Sequence, residues 1–144
     1  MIRRLQSSDR AGWEELWRGY LRFYRSDVDP AVTDATFDRL CARADGMLGL
    51  IAVSDDDGTP IGLAHVVLHP STWSATRYAY LEDLYVSPAA RGAGTAQALI
   101  EAVYAEADAQ GADRVYWHTQ EFNAPARSLY DQVAHRTSFI VYQR

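Results

Sequence analysis

The chain has no lysine. All 14 basic residues among its 144 are arginines, and 19 acidic residues leave a net charge of −5. That absence excludes the lysine-bearing type of phosphate loop, and it excludes Schiff-base and pyridoxal-phosphate chemistry. Cysteine is scarce as well. The single Cys41 cannot close an intramolecular disulfide, and no Cys/His cluster has structural-zinc spacing. The four histidines, His65, His69, His118 and His135, are scattered. His65 and His69 lie in a strand-like stretch where their spacing is too long for one metal, so no metal site is expected. No apolar run is long enough to span a membrane. Met1 to Gln6 lacks the apolar stretch of a signal peptide, so a cytoplasmic, reducing setting is expected. The acidity has an address: residues 1–50 hold 8 arginines against 8 acids, residues 51–144 hold 6 against 11. Such a balance argues against nucleic acid and suits a cationic partner.

What is present reads as one domain over residues 1–144, with no repeat, linker or low-complexity tract. A chain of this size buries roughly 68–70% of its unfolded surface, enough for a core without staples. Ile2 to Leu5 reads as a strand, and Ser8 or Asp9 can cap the helix that follows. Trp13, Leu16, Trp17, Tyr20 and Tyr24 recur at helical spacing on one face. Asp27-Val28-Asp29-Pro30 stops that helix, and Thr33 starts a second, which ends near Gly46. Strands are expected at Leu48–Val53, Ile61–Leu68 and Tyr78–Val86, with a hairpin turn at Asp55–Gly58. A helix with Ala96, Leu99, Ile100, Val103 and Ala107 on its buried face closes at Gly111. A strand at Val115–Thr119, a helix capped by Asn123 and a last strand at Phe139–Tyr142 complete the order βααβββαβαβ. This is a mixed α/β sheet with helices on both faces.

The strand-to-helix junction from Leu84 to Leu99 carries the chemistry. Gly92 and Gly94 remove side chains, so backbone N–H groups can approach an anion, and the new helix adds its positive end. A diphosphate can be held there without lysine. The pattern is not a dinucleotide fingerprint, because the third glycine position holds Ala96 or Gln97.

Arg91-Gly92-Ala93-Gly94-Thr95-Ala96 resembles the [QR]-x-x-G-x-[GA] acyl-CoA loop of the GCN5-related N-acetyltransferase (GNAT) superfamily, and it follows a strand ending Val86-Ser87-Pro88. Asn123, Ala126, Arg127, Leu129 and Tyr130 resemble the family's N-x-x-A-R-x-L-Y segment. Tyr80-Leu81-Glu82-Asp83-Leu84-Tyr85-Val86 is similar to a strand of the spermidine/spermine and thialysine acetyltransferases, with Trp73 upstream as in those proteins.

The resemblance implies a GNAT fold and acetyl transfer from acetyl-CoA by direct attack of an amine in a ternary complex, without a metal. It assigns the diphosphate to residues 92 to 97 and the pantetheine arm to the backbone of Leu84, Tyr85 and Val86. An N–H there, that of Leu84, polarises the thioester carbonyl. Arg91, Arg127 and Asn123 are further cofactor contacts. Tyr130 is the matching general acid, against the plainer reading of a ring packed in the core. Glu82 is the candidate base, against a salt-bridged strand residue, and alternation places it on the face of Tyr80, Leu84 and Val86. Asp83 points to the other face, in a structural role.

The helix aromatics read mainly as core. Tyr24, Asp27 and Trp73, with Glu82, are the acceptor-site candidates. Arg25 stands where the polyamine enzymes carry an acid, which shifts weight toward an amine bearing its own carboxylate. A small-molecule amine is the first acceptor, a histone-like peptide the second. A non-catalytic acyl-CoA-binding regulator is the alternative class. The resemblance also allows a homodimer, sometimes formed through the last strand.

Overall fold

A computed structural model describes all 144 residues. Five strands form one sheet in sequence order: β1 (Ile2–Arg4), β2 (Met47–Val53), β3 (Pro60–Pro70), β4 (Arg77–Val86) and β5 (Ala112–Tyr116). The first four pair antiparallel and β5 runs parallel to β4. Helices α1 (Arg10–Phe23) and α2 (Pro30–Ala42) cover one face, while α3 (Thr95–Ala109) and α4 (Ala124–Val133) lie on the other. This is the expected mixed α/β architecture, and no helix is long and apolar enough to cross a membrane.

Period-2 patterning in the strands separates two cores. Leu48, Leu50, Ala64, Val66 and Leu81 pack with Leu99, Ile100 and Val103 of α3. Ile51, Val53 and Leu63 pack with Trp13, Leu16 and Trp17 of α1 and with Phe37 and Leu40 of α2. Trp13 is wholly buried, its ring 4.9 Å from Phe37 and 5.9 Å from Trp17. Burying a large apolar side chain of this kind contributes about 1.5–3 kcal/mol.

Several boundaries differ from the sequence reading. Asp29 caps α2 through Ala31 N–H, so the helix begins at Pro30, three residues before Thr33. Asp9 makes no cap bond into α1; its carboxylate instead accepts from Gln6 N–H and from both ends of the Arg3 guanidinium. Asn123 occupies the N-cap of α4 without a side-chain cap bond. The strand expected at Val115–Thr119 lies at Ala112–Tyr116. Phe139–Tyr142 is not a strand. Its alternating apolar residues satisfy the pattern, but a strand also needs a neighbour for its ladder, and none lies beside it within one copy.

Candidate active site

Strand β4 is where the expected geometry and the observed one diverge most usefully. The β3–β4 register slips between His65 and Val66, whose partners are Asp83 and Leu81, so Glu82 is the extra residue of a β-bulge. An inserted residue reverses parity. Ala79 and Leu81 join the α3 core before the bulge, and Leu84 and Val86 join it after. Leu84 and Val86 therefore do not share a face with Tyr80, as alternation had placed them. Asp83 and Tyr85 turn toward α1, where Tyr85 packs against that core. Glu82 stays near Tyr80, whose hydroxyl opposes the rise of its carboxyl.

The bulge is fixed from below by a buried chain. Trp13 Nε1–H donates to His65 Nε2 at 2.9 Å, and His65 Nδ1 meets Asp83 Oδ2 at 2.8 Å. Indole N–H only donates, so Nε2 accepts and Nδ1 carries the proton given to Asp83. Tyr20 of α1 also reaches the Asp83 carboxylate. His65 is 2% exposed, so this partnering is what makes its burial tolerable. Sequence reasoning left His65 as an isolated histidine. Its only signal was a lone His on an otherwise apolar strand.

Glu82 makes no salt bridge. Partial desolvation and the neighbouring Asp83 charge raise its carboxyl above the usual range, while Tyr80, His118 and His65 oppose the rise. Tyr130, on α4, packs edge-on to Trp117 at 5.4 Å, and its hydroxyl has no hydrogen-bond partner within the chain. Burial, and then Tyr24, push its phenol up. Tyr24 in turn faces Asp83. Tyr24, at the end of α1, is thus within electrostatic reach of both Asp83 in the bulge of β4 and Tyr130 on α4.

Beside the bulge the sheet forks. β4 and β5 pair only from Arg77–Tyr80, opposite Ala112–Tyr116, so the β5-facing side of Leu81–Val86 has no strand partner. The fork opens onto a cleft of about 320 Å³ lined by Val86, Arg91, Gly92, Gly94, Thr95, Ala96, Gln97 and, from α4, Pro125 and Leu129. Gly92 and Gly94 have φ of 86° and 81°, a region costly for other residues. Gly94 caps α3 with no side-chain bond, so the first N–H groups of the helix are left free. Ala93 lies in the same loop. A diphosphate fits this loop, and an extended arm fits the unpaired edge of β4.

The remaining candidates divide. Arg91 is anchored, with Nε–H donating to the Val86 carbonyl at 3.0 Å and the guanidinium over Tyr85 at 5.7 Å. Arg127 donates to the Glu121 carbonyl, and neither it nor Asn123 lines the cleft. Tyr24 is 39% exposed at the end of α1. Asp27 is occupied with the N–H of Val28. Trp73 stands 85% exposed at the β3–β4 loop and stacks on no other ring. Neither Asp27 nor Trp73 is brought to Glu82. Gly19, which sequence reasoning passed over, makes room for the site: a Cβ there would sit 2.4 Å from the Tyr85 hydroxyl.

The chain is similar to known proteins in sequence and in fold. The pattern of the Acetyltransferase (GNAT) family matches residues 13–134. A D-amino-acid N-acetyltransferase of Saccharomyces cerevisiae is 34% identical over 144 residues, covering 100% of this chain and 89% of that protein. An uncharacterised N-acetyltransferase of Bacillus subtilis is 32% identical over 143 residues, covering 98% and 94%. Among solved structures, an aminoglycoside acetyltransferase, AAC(6')-Iy, bound to a bisubstrate analogue superposes with a TM-score of 0.86 at 20% identity, covering 100% of this chain and 96% of that one. A family pattern over most of the chain and a relative a third identical along all of it decide what the glycine loop and the fork suggested: the chain belongs to the GNAT family and is an acetyl-CoA-dependent N-acetyltransferase.

Proposed function

We propose that the acceptor is the primary amine of a small molecule, an α-amino acid before a polyamine, and that Glu82 and Tyr130 carry the proton transfers. The observation that carries this reading is the pair formed by a raised carboxyl at the β4 bulge and an unengaged phenol on α4 whose neighbour Leu129 lines the cleft at the open fork. The N–H groups of residues 92 to 97 hold the diphosphate of acetyl-CoA, with Arg91 stiffening the loop. The free edge of Leu84, Tyr85 and Val86 takes the pantetheine arm, and an N–H of that stretch, that of Leu84, polarises the thioester carbonyl. Bound acetyl-CoA supplies the activated acetyl group. Glu82 takes the proton that must leave the attacking amine. Tyr130, kept protonated by burial, gives one to the departing sulfur. Asn123, whose side chain makes no cap bond, and Arg127, braced on the Glu121 carbonyl, are further cofactor contacts at the start of α4.

Two features support an amino acid over a polyamine. The Saccharomyces cerevisiae relative is named for D-amino acids. Arg25, directly beyond α1, makes no ion pair and is available to a substrate carboxylate, where a polyamine would need an acid. A panel of D- and L-amino acids, polyamines, aminoglycosides and a histone peptide, with acetyl-CoA fixed, tests the reading. The highest kcat/KM should fall among the amino acids, and a histone peptide in first place would overturn it.

The same reading includes a homodimer. Phe139, Ile140, Val141 and Tyr142 are 83%, 74%, 68% and 89% exposed, and β5 is an open sheet edge. An apolar strand-like segment and a free edge are complementary between two copies. Val141→Asp should shift a dimer to monomer by light scattering. A wild-type monomer at assay concentration would contradict this assembly.

A further inference from the structure

Glu82 is exposed, and in the proposed reaction the acceptor amine approaches it from that solvent side. Once an acceptor covers that side, the proton taken by Glu82 needs another way out before the next turnover. We propose that Tyr80 and His118 form a relay carrying that proton from Glu82 to solvent. This rests on the base role given to Glu82.

The Tyr80 hydroxyl stands between two partners. It lies 3.1 Å from His118 Nδ1 on one side, and on the other it neighbours the Glu82 carboxylate, two residues further along the strand. The rings of Tyr80 and His118 are 5.2 Å apart, and His118 is exposed just beyond the end of β5. Tyr80 is held in place by stacking on Tyr116, 4.9 Å away at 23°. Tyr116 is itself committed elsewhere. His69 Nδ1 is 2.7 Å from the Pro70 carbonyl, which only accepts, so Nδ1 carries the proton and Nε2 accepts from the Tyr116 hydroxyl at 2.6 Å. That leaves Tyr80 as the one phenol able to link Glu82 to a surface imidazole. The other titratable groups near Glu82 are Tyr116, already committed to His69, and Asp83, His65 and Tyr20 on the α1 side of the bulge, where the Trp13–His65–Asp83 chain leads to no second imidazole at the surface.

The relay balances with one proton at each step. Glu82, protonated by the acceptor, donates to the Tyr80 oxygen while Tyr80 donates its own proton to His118 Nδ1. The Glu82 O–H and the old Tyr80 O–H break, a new Tyr80 O–H and an His118 N–H form, and Glu82 is again a carboxylate. His118 then loses a proton to water. No phenolate is needed, which matters because burial and Glu82 push Tyr80 up to about 12. An imidazole suits the outer position because its ordinary titration range spans neutral pH.

The experiment compares wild type, His118→Ala, His118→Gln, Tyr80→Phe and Glu82→Gln, with a saturating amino acid and acetyl-CoA and with rising concentrations of free imidazole. His118→Ala and His118→Gln should lose about tenfold in kcat while KM for both substrates stays within about twofold. Free imidazole should restore the His118 variants in a saturable way and leave Tyr80→Phe slow, because the phenol bridge is missing there. An unaltered kcat in both His118 variants, or a loss that imidazole does not repair, would overturn the relay while leaving Glu82 as base. An unaltered Glu82→Gln would overturn the base and the relay together.

Discussion

In the proposed mechanism Glu82 and Tyr130 divide the proton traffic, and their surroundings push both groups upward to different effect. A raised carboxyl is a stronger base once ionised, and a raised phenol remains a proton donor across the working range. Tyr130→Phe removes only a hydroxyl with no internal partner. It should slow turnover by about 10²-fold with an unchanged melting temperature, read by thiol release and thermal denaturation. The demand on Glu82 depends on the acceptor. A lysine-type amine with pKa near 10.4 is neutral in only about one molecule in 2,500 at pH 7, whereas the α-amine of a peptide or amino-acid amide, with pKa near 7.8, is neutral in about one in seven. Glu82→Gln should therefore cost more with a lysine side-chain amine than with such an α-amine, and a uniform loss would count against base catalysis. Glu82 must be ionised to act, so its raised pKa places the acid limb of the pH–rate profile above the ordinary carboxylate range. Desolvation, the largest cause, survives Asp83→Asn, but the Asp83 charge does not. That substitution should move the acid limb to lower pH, and a limb that stays or rises would contradict the electrostatic account.

At the scale of elements, the helices and the glycine loop were legible because their determinants are local. The α1 stripe grades as its spacing implies, from buried Trp13 and Trp17 to the half-buried Tyr20 and the 39% exposed Tyr24 at its end. The bulge was missed by carrying strict alternation through Tyr80 to Val86. The adjacent acids Glu82-Asp83 between Leu81 and Leu84 break that alternation, and the pairing with β3 shows that one residue is extra. The consequence was a misplaced Leu84 and Val86, and an Asp83 set aside although it anchors the site. The tight turn before β2 is a determinant hidden from pattern. Gly46 has φ of 75°, and a Cβ there would sit 2.2 Å from the Leu68 carbonyl oxygen. Gly46→Ala combines a left-handed backbone with a backbone clash, so it should destabilise by about 1–3 kcal/mol. A denaturant midpoint equal to wild type would show that the turn relaxes freely.

For the whole molecule, the missing lysine has a structural counterpart. The cleft beside the fork is lined largely by glycines and small residues, with one arginine held against β4, which supports the proposal that N–H groups bind the anion there. The last expected strand failed for a reason that lies outside one copy: Phe139–Tyr142 has the side chains of a strand and no neighbour to pair with. Sequence patterns report what a segment can do, and pairing decides whether it does so within the chain. The central claim is that the bulge and α4 together make a transferase and not only a binder of acyl-CoA. The most direct measurement follows free thiol from acetyl-CoA with the pure protein, with and without an α-amino acid, in wild type and Tyr130→Phe. The account predicts amine-dependent thiol release matched by N-acetylated product, and a large loss in Tyr130→Phe with acetyl-CoA affinity retained. Saturable acetyl-CoA binding with no amine-dependent release would contradict it.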